Sequence, residues 1–438
     1  MWVFLIIVKA IVSVFAVCWN LLVGFINIIT SSLNKYIRKK NDEINRGVTE
    51  IRQSTIDSIL PCRNDVNNTL ISGSNANARA RFIAQIAKNA QSCGYATVIL
   101  YEGNNSIVGE LQRILGQNNW ININSQNPMY EPFNSLNSKE VCKTLYDSAT
   151  KDYDLKMNCN YYIEGMCEFL KHKKISPTLK SFVSCPHADL FDKIDALVLS
   201  GTINDTQAQA IRSRLMMGQS EQFKLESLIS DLYDQSESIL CKAKGTQKYS
   251  VYQAIFDRKI IAIDISSNVN ALLINSIISQ IKQAISKGKN LVLITDDLTM
   301  SGNDNVKKIL SEKTDKCKVI ACSSDAFSMC DGDDKSFNTM IGNSEQIIIL
   351  GHASGASCTK WAEAIGHYNK EEESQSYEKG SSRNSPFQLF PGSNKGTTVN
   401  YSIKREYIVR PELINRMSNN EVYTYDHVSN KLIHTFLV

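Results

Sequence analysis

Two short stretches carry residue types that could act on a phosphate. The first is Leu70-Ile71-Ser72-Gly73-Ser74-Asn75-Ala76-Asn77-Ala78-Arg79-Ala80. An apolar strand pattern, Thr69 to Ser72, runs into a Gly turn, and a helix pattern follows with Ile83, Ile86 and Ala87 on one face. That is the strand–loop–helix setting of a phosphate-binding loop, whose intact form reads G-x-x-x-x-G-K-[ST]. Its second Gly lets backbone amides approach phosphate, its Lys bridges the β- and γ-phosphates, and its hydroxyl binds Mg²⁺. Counting from Gly73, those places hold Ala78, Arg79 and Ala80. The positive charge survives in altered form; the magnesium hydroxyl does not. The candidate nucleotide contacts are therefore Gly73, Ser74, Asn75, Asn77, Ala78, Arg79 and Ala80, with Arg79 as the phosphate partner. Losing one such contact costs about 2–4 kcal/mol in the transition state, so turnover is expected to be impaired. The alternative reading is a Gly-containing loop that merely caps a helix.

The second stretch is Asn290 to Asp297 (NLVLITDD), a buried-strand pattern ending in two carboxylates. In phosphate-loop enzymes a carboxylate at the end of an apolar strand holds Mg²⁺, and an adjacent acid positions the attacking water. Asp296 is the candidate metal ligand and Asp297 the candidate catalytic residue. The competing reading is an Asp pair capping the following turn. The six His residues show no H-E-x-x-H spacing, and the twelve Cys residues form no C-x-x-C pair, which fits free thiols in a reducing compartment.

These stretches need a scaffold. The chain has 438 residues, enough for two or three domains, with ordinary globular composition: 43% hydrophobic and 21% charged. A net charge of +4 does not by itself imply nucleic acid. Ala10 to Thr30 (AIVSVFAVCWNLLVGFINIIT) has no charge and is long enough to span a bilayer. Lys35, Arg38, Lys39 and Lys40 follow it, so a single-pass anchor in the cell membrane with a cytoplasmic C-terminal domain is expected. No positive region precedes the apolar run and no A-x-A site follows it, which argues against a cleaved signal.

Strand and helix patterns alternate from Asn68, predicting a mostly parallel sheet covered on both faces. From about Asn137 the strand signal gives way to helical spacing, as in Leu225, Leu228, Ile229 and Leu232. The expected organisation is an anchor and basic flank over 1–40 and a connector over 41–67. The first part of the α/β domain covers 68–136. An inserted all-helical domain covers 137–245. The second part of the α/β domain covers 246–438, with a mobile, Ser/Gly/Glu-rich loop at 370–399.

Several further stretches follow in a fixed order: VILYEGN after the first helix, Asn127-Pro128 and Pro132-Phe133-Asn134-Ser135-Leu136, the helical insertion, LVLITDDL, KVIACSSDAF, FNTMIGNSEQIIILGHASGASCTKWAEAIGHY, and KREYIVRPELINRM with Arg405, Pro411, Glu412 and Leu413. This order, spanning nearly all of 60–438, resembles the TraG/TraD-type coupling proteins of type IV secretion, within the FtsK/HerA-like class of P-loop motors. The resemblance implies a RecA-like α/β fold with an inserted all-α domain and an N-terminal transmembrane helix. It implies ATP and Mg²⁺ as ligands, here bound weakly or not at all. It implies conjugative DNA transfer as the setting, with relaxase–DNA, type IV secretion channel components and a hexamer or mixed ring with an active ATPase as partners. Three departures stand out: the degenerate loop, no Gln near Ser323-Ser324-Asp325, and one membrane segment where the family often has two. The implied role is a coupling component with impaired hydrolysis; the alternative is an active DNA-translocating ATPase with an atypical loop.

Overall fold

The computed structural model describes residues 2–60, 65–242, 247–265, 271–298, 314–382 and 392–438. They divide into two compact units. One comprises residues up to Thr49 together with Thr359–Leu413; the other comprises Glu50–Cys358 and Ile414–Val438.

The larger unit is organised by one ten-stranded sheet. In chain order its strands are β1 (Val48–Ser54), β2 (Thr69–Ser72), β3 (Ala96–Tyr101), β4 (Trp120–Ile123), β5 (Ile260–Asp264), β6 (Leu291–Asp296), β7 (Cys317–Ser323), β8 (Gln346–Ile349), β11 (Glu421–Asp426) and β12 (Lys431–Leu437). The numbers β9 and β10 belong to the other unit's strands, His367–Ser382 and Gly392–Tyr407. The spatial order is β1-β12-β11-β8-β2-β7-β6-β3-β5-β4. From β8 to β4 every pairing is parallel, whereas β11 pairs antiparallel with β8 and β12. Parallel strands are covered on both faces, so they read as unbroken apolar runs; β3 (ATVILY) and β6 (LVLITD) are buried at every position.

The helix Ala76–Ser92 lies on the sheet through Ala80, Ile83, Ala84, Ala87 and Ala90, all fully buried in one core with β3, β6 and β7 residues. Its small residues let the helix approach closely. Asn75 caps it, its side chain accepting from the Ala78 N–H at 3.1 Å, a contact worth roughly 1 kcal/mol. Between Ser138 and Ser236 the described chain is helical. These helices belong to the same compact unit as the sheet. The first, Ser138–Ser148, carries an Asn137/Glu140 capping box and is joined to the helix Ala271–Ser286. Gln283 Nε2 donates to Thr144 Oγ1 at 3.0 Å, and Ser279 Oγ donates to Asp147 at 2.8 Å.

The smaller unit holds the helix Trp2–Arg46, 45 residues and about 67 Å long at the usual 1.5 Å rise. It is long and apolar enough to cross a membrane, and its most apolar window, with mean hydropathy 2.3, has no buried residue. The helix continues through residues 41–46, and β1 follows at once. The loop expected at 370–399 is instead a two-stranded antiparallel ribbon, β9 with β10, in register from Gly392↔Ser382 to Tyr407↔His367; residues 383–391 lie outside the described ones. A ribbon pairs its own backbone and needs no apolar face, so composition alone gave no strand signal.

Gly73 is fixed by close approach. A Cβ built there would stand 2.3 Å from Leu350 Cβ and 2.9 Å from the Leu350 carbonyl carbon, and its φ is +153°. Leu350 follows β8, the parallel neighbour of β2, so neither backbone can yield alone. Gly73→Ala is expected to lower stability by about 1–3 kcal/mol; the thermal midpoint of the purified chain in detergent measures it, and an unchanged midpoint would show the approach to be looser than described.

Candidate functional site

The carboxyl ends of β2, β3, β6, β7 and β8 converge where open parallel sheets hold their ligands. Gly73 to Asn75 leave β2; Glu102, Gly103 and Asn104 leave β3; Asp296 ends β6 and Asp297 follows; Ser323 ends β7. The two sequence stretches singled out for phosphate chemistry therefore meet, on neighbouring elements.

What joins them is an ion-paired arginine. Arg79, 2% exposed, points from the first turns of its helix beneath the Gly73 turn. Its Nε donates to Asp296 Oδ1 at 2.7 Å, and its Nη1 donates to the Gly73 carbonyl at 2.7 Å. Its Nη2 reaches Asp297 Oδ2 and, at 3.5 Å, Asp296 Oδ2. Asp296 is fully buried and also accepts from Asn104 Nδ2 at 2.7 Å. Asp297, in the left-handed region at φ +53°, accepts from the Ser324 N–H and, at 3.3 Å, from Ser323 Oγ. Burial opposes the guanidinium's charge, but the Asp296 charge and hydrogen bonds, and then Asp297, outweigh it and hold its pKa above the ordinary value. The side chain expected to meet phosphate thus meets carboxylates.

The turn's amides are engaged as well. Gly73 N–H donates to the Ser323 carbonyl at 3.0 Å, Ser74 N–H to the Gly351 carbonyl at 2.9 Å, and Arg79 N–H to the Asn75 carbonyl at 3.1 Å. Ser74 Oγ donates to the same Gly351 carbonyl at 2.9 Å, and Asn75 Nδ2 to the Asn419 carbonyl at 3.0 Å. Asn77 accepts from Ser106 Oγ through its side chain. The helix starts at Ala76, so a cradle four residues long is reduced to Ser74 and Asn75. Ala78 and Ala80 are buried and offer only methyl groups. This arrangement differs from the loop that a magnesium-bound nucleotide would use. Asp296 has no oxygen left without a donor, Ala80 has no hydroxyl, and two carboxylates against one guanidinium leave a negative charge where phosphates would sit.

Sequence reasoning missed Asn104 and a second buried cluster. His352, 3% exposed, follows β8. Its Nδ1 lies 2.7 Å from the Leu350 carbonyl and must carry the proton, so Nε2 accepts from Ser72 Oγ at 2.8 Å. Ser72 Oγ in turn accepts from the Ala326 N–H at 3.0 Å. Burial lowers the His352 pKa, against the Leu350 hydrogen bond and the Asp325 charge, with Arg79 lowering it further. The Ser–His pair is sealed and serves to fix β2 against β7 and β8. Burial, with the Asp296 charge, also holds the Cys322 thiol well above its ordinary pKa, so it stays protonated.

No family model matches the sequence, and no curated protein matches it either. Solved structures do match. The bacterial conjugative coupling protein TrwBdeltaN70, in an unbound form, superposes with TM-score 0.53 at 13% identity, over 85% of this chain and 84% of that one. The plasmid coupling protein TrwB with a non-hydrolysable ATP analogue gives 0.54 at 14%, over 88% and 89%. TrwB with ADP and Mg²⁺ gives 0.51 at 13%, over 88% and 89%. The chain has a TrwB-like fold: a large, mostly parallel sheet with helices.

Removing one member of a buried ion pair strands the other, a loss of about 3–5 kcal/mol. Arg79→Met is expected to fall in that range, and Arg79→Met with Asp296→Leu to recover much of it; equal loss in the double variant would show no coupling. For His352, the folded pKa lies below the unfolded 6.5. The unfolded chain therefore binds more protons between the two values. This contribution is full above about pH 6.5 and is lost as pH falls toward the folded pKa. His352→Gln should flatten the stability–pH slope between about pH 7.5 and 5.5; an unchanged slope would assign that slope to other groups.

Proposed function

We propose that this chain is a membrane-anchored, coupling-protein-like component of conjugative DNA transfer by type IV secretion, and that it recruits a relaxase–DNA substrate without hydrolysing ATP at a useful rate. The observation that carries the reading is Arg79 bound to Asp296, Asp297 and the Gly73 carbonyl, inside a sheet that superposes on a conjugative coupling protein. TrwB, with which the fold is shared, is described with ATP and GTP analogues and with ADP and Mg²⁺. In this chain the guanidinium takes up the carboxylates that a metal would need. The apolar helix Trp2–Arg46 supports single-pass anchoring, and the basic residues after its apolar run support a cytoplasmic C-terminal domain.

With the ion pair intact, the chain's own residues hold the β2–helix turn closed whether or not nucleotide is present. Substrate recruitment then falls to surfaces away from the turn. A partner ring subunit with an intact loop would supply hydrolysis.

The test is nucleotide binding and turnover by the full chain in detergent. The unmodified protein should show no magnesium-dependent turnover. Ala78→Gly, Arg79→Lys and Ala80→Thr together should raise nucleotide affinity at least about tenfold, since a charged contact and a metal contact return. Robust hydrolysis by the unmodified chain, abolished by Asp296→Asn, would overturn the impaired-enzyme reading. Independently, the chain should bind relaxase-loaded DNA with affinity that falls steeply with salt; no binding at low salt would remove the recruitment role.

A further inference from the structure

We propose that one proton on the Glu131 carboxyl controls whether the helix Leu179–Val183 stays docked on the crossing where the helical stretch leaves the sheet and returns to it. Backbone makes the crossing. Tyr130 is bridged in parallel to both Leu240 and Tyr249. Its N–H donates to the Ile239 carbonyl at 3.0 Å, and its carbonyl accepts from the Cys241 N–H at 2.9 Å. Glu131 N–H donates to the Tyr249 carbonyl at 2.9 Å. Side chains then tie the outgoing loop to the returning chain: Asn134 Nδ2 donates to the Lys248 carbonyl at 2.9 Å, and Ser250 Oγ to the Asn134 carbonyl at 2.7 Å.

The helix Leu179–Val183 joins this crossing through two contacts. Leu179 N–H, the first of the helix, donates to Glu131 Oε1 at 3.0 Å, and Phe182 stands edge-on to Phe133 with ring centroids 5.4 Å apart. The same oxygen accepts from the Phe133 N–H at 3.4 Å. One carboxyl oxygen therefore serves both segments. Glu131 is 3% exposed, and among the described residues no cation stands in ion-pair contact with it; Lys248 acts on it through its charge alone. The other titratable groups around the crossing are Tyr130, buried with its OH at Gln280, Cys241, and Tyr249, whose ring lies under Lys259. On the helix itself Lys180 is exposed. From the helix Gln222–Ser236, which packs on it, Glu226 accepts from the His187 N–H at 2.8 Å.

An acid buried without a paired cation favours its neutral form. Burial pushes the Glu131 carboxyl from the ordinary 4.5 up to about 7, with the two backbone N–H bonds and the Lys248 charge opposing. The docked state therefore holds the proton more tightly than a state in which Glu131 is hydrated. Docking is strongest below pH 4.5 and weakens as pH rises, and the loss is complete above about 7. Within that window the docking equilibrium changes by up to roughly tenfold per pH unit.

The experiment follows amide hydrogen exchange of the full chain in detergent at about pH 5.5 and about pH 6.5, with each rate corrected for intrinsic exchange. Protection of residues 176–184 should fall about tenfold from the lower pH to the higher. The helix Ala76–Ser92 is the reference for global opening and should show no such fall. Glu131→Gln cannot ionise, so it should hold 176–184 at one level of protection. Unchanged protection in the unmodified chain, an equal fall in Ala76–Ser92, or the same fall in Glu131→Gln would overturn the proposal. If Glu131→Gln also loses protection in Ala76–Ser92, and so fails to fold, Lys248→Met decides. Without that charge the fall should move to higher pH, and an unmoved fall would overturn the assignment to Glu131.

Discussion

A guanidinium that is 2% exposed must be neutralised by the protein that buries it. That requirement organises the carboxyl edge of the sheet. Arg79 draws the end of β6 through Asp296 and Asp297, the end of β2 through the Gly73 carbonyl, and, by way of Asp296, the turn after β3 through Asn104. Three strand ends that form a ligand cleft in related architectures are here cross-linked by one side chain. The unusual φ of Asp297 fits this role, since it turns the second carboxylate back toward the arginine.

The same arrangement separates shape from chemistry. The fold is shared with a coupling protein at about one residue in seven identical, so what persists is the pattern of burial and connection. Gly73 is required because Leu350 leaves no room for a Cβ. The loop's side chains answer to a different constraint, and here Arg79 pairs with Asp296 and Asp297.

Much of the sheet was legible from sequence because parallel strands are buried on both faces. Thr69 to Ser72 could be read to the residue. The meeting of Gly73 to Ala80 with Asp296 and Asp297 was legible as motif order. The direction of the Arg79 side chain was not, since a cation beside a Gly turn reads as a phosphate partner until the distance to a carboxylate 217 residues away is known. The ribbon escaped because its composition is polar, and β1 because it is exposed along most of its length. His352 escaped because one buried His in an apolar segment carries no spacing signal.

The sheet order also sets a timetable for synthesis. β2 sits in the middle of the sheet, yet both its neighbours, β7 and β8, come late in the chain. Ser72 waits for Ala326, 254 residues on, and Arg79 waits 217 residues for Asp296. At roughly 5–20 residues per second, the arginine leaves the ribosome about 10 to 40 s before its carboxylate exists. During that interval Leu70 and Ile71, fully buried in the finished molecule, have neither flanking strand. The ion pair thus cannot form before β6 is made, and β2 gains its flanking strands only later still.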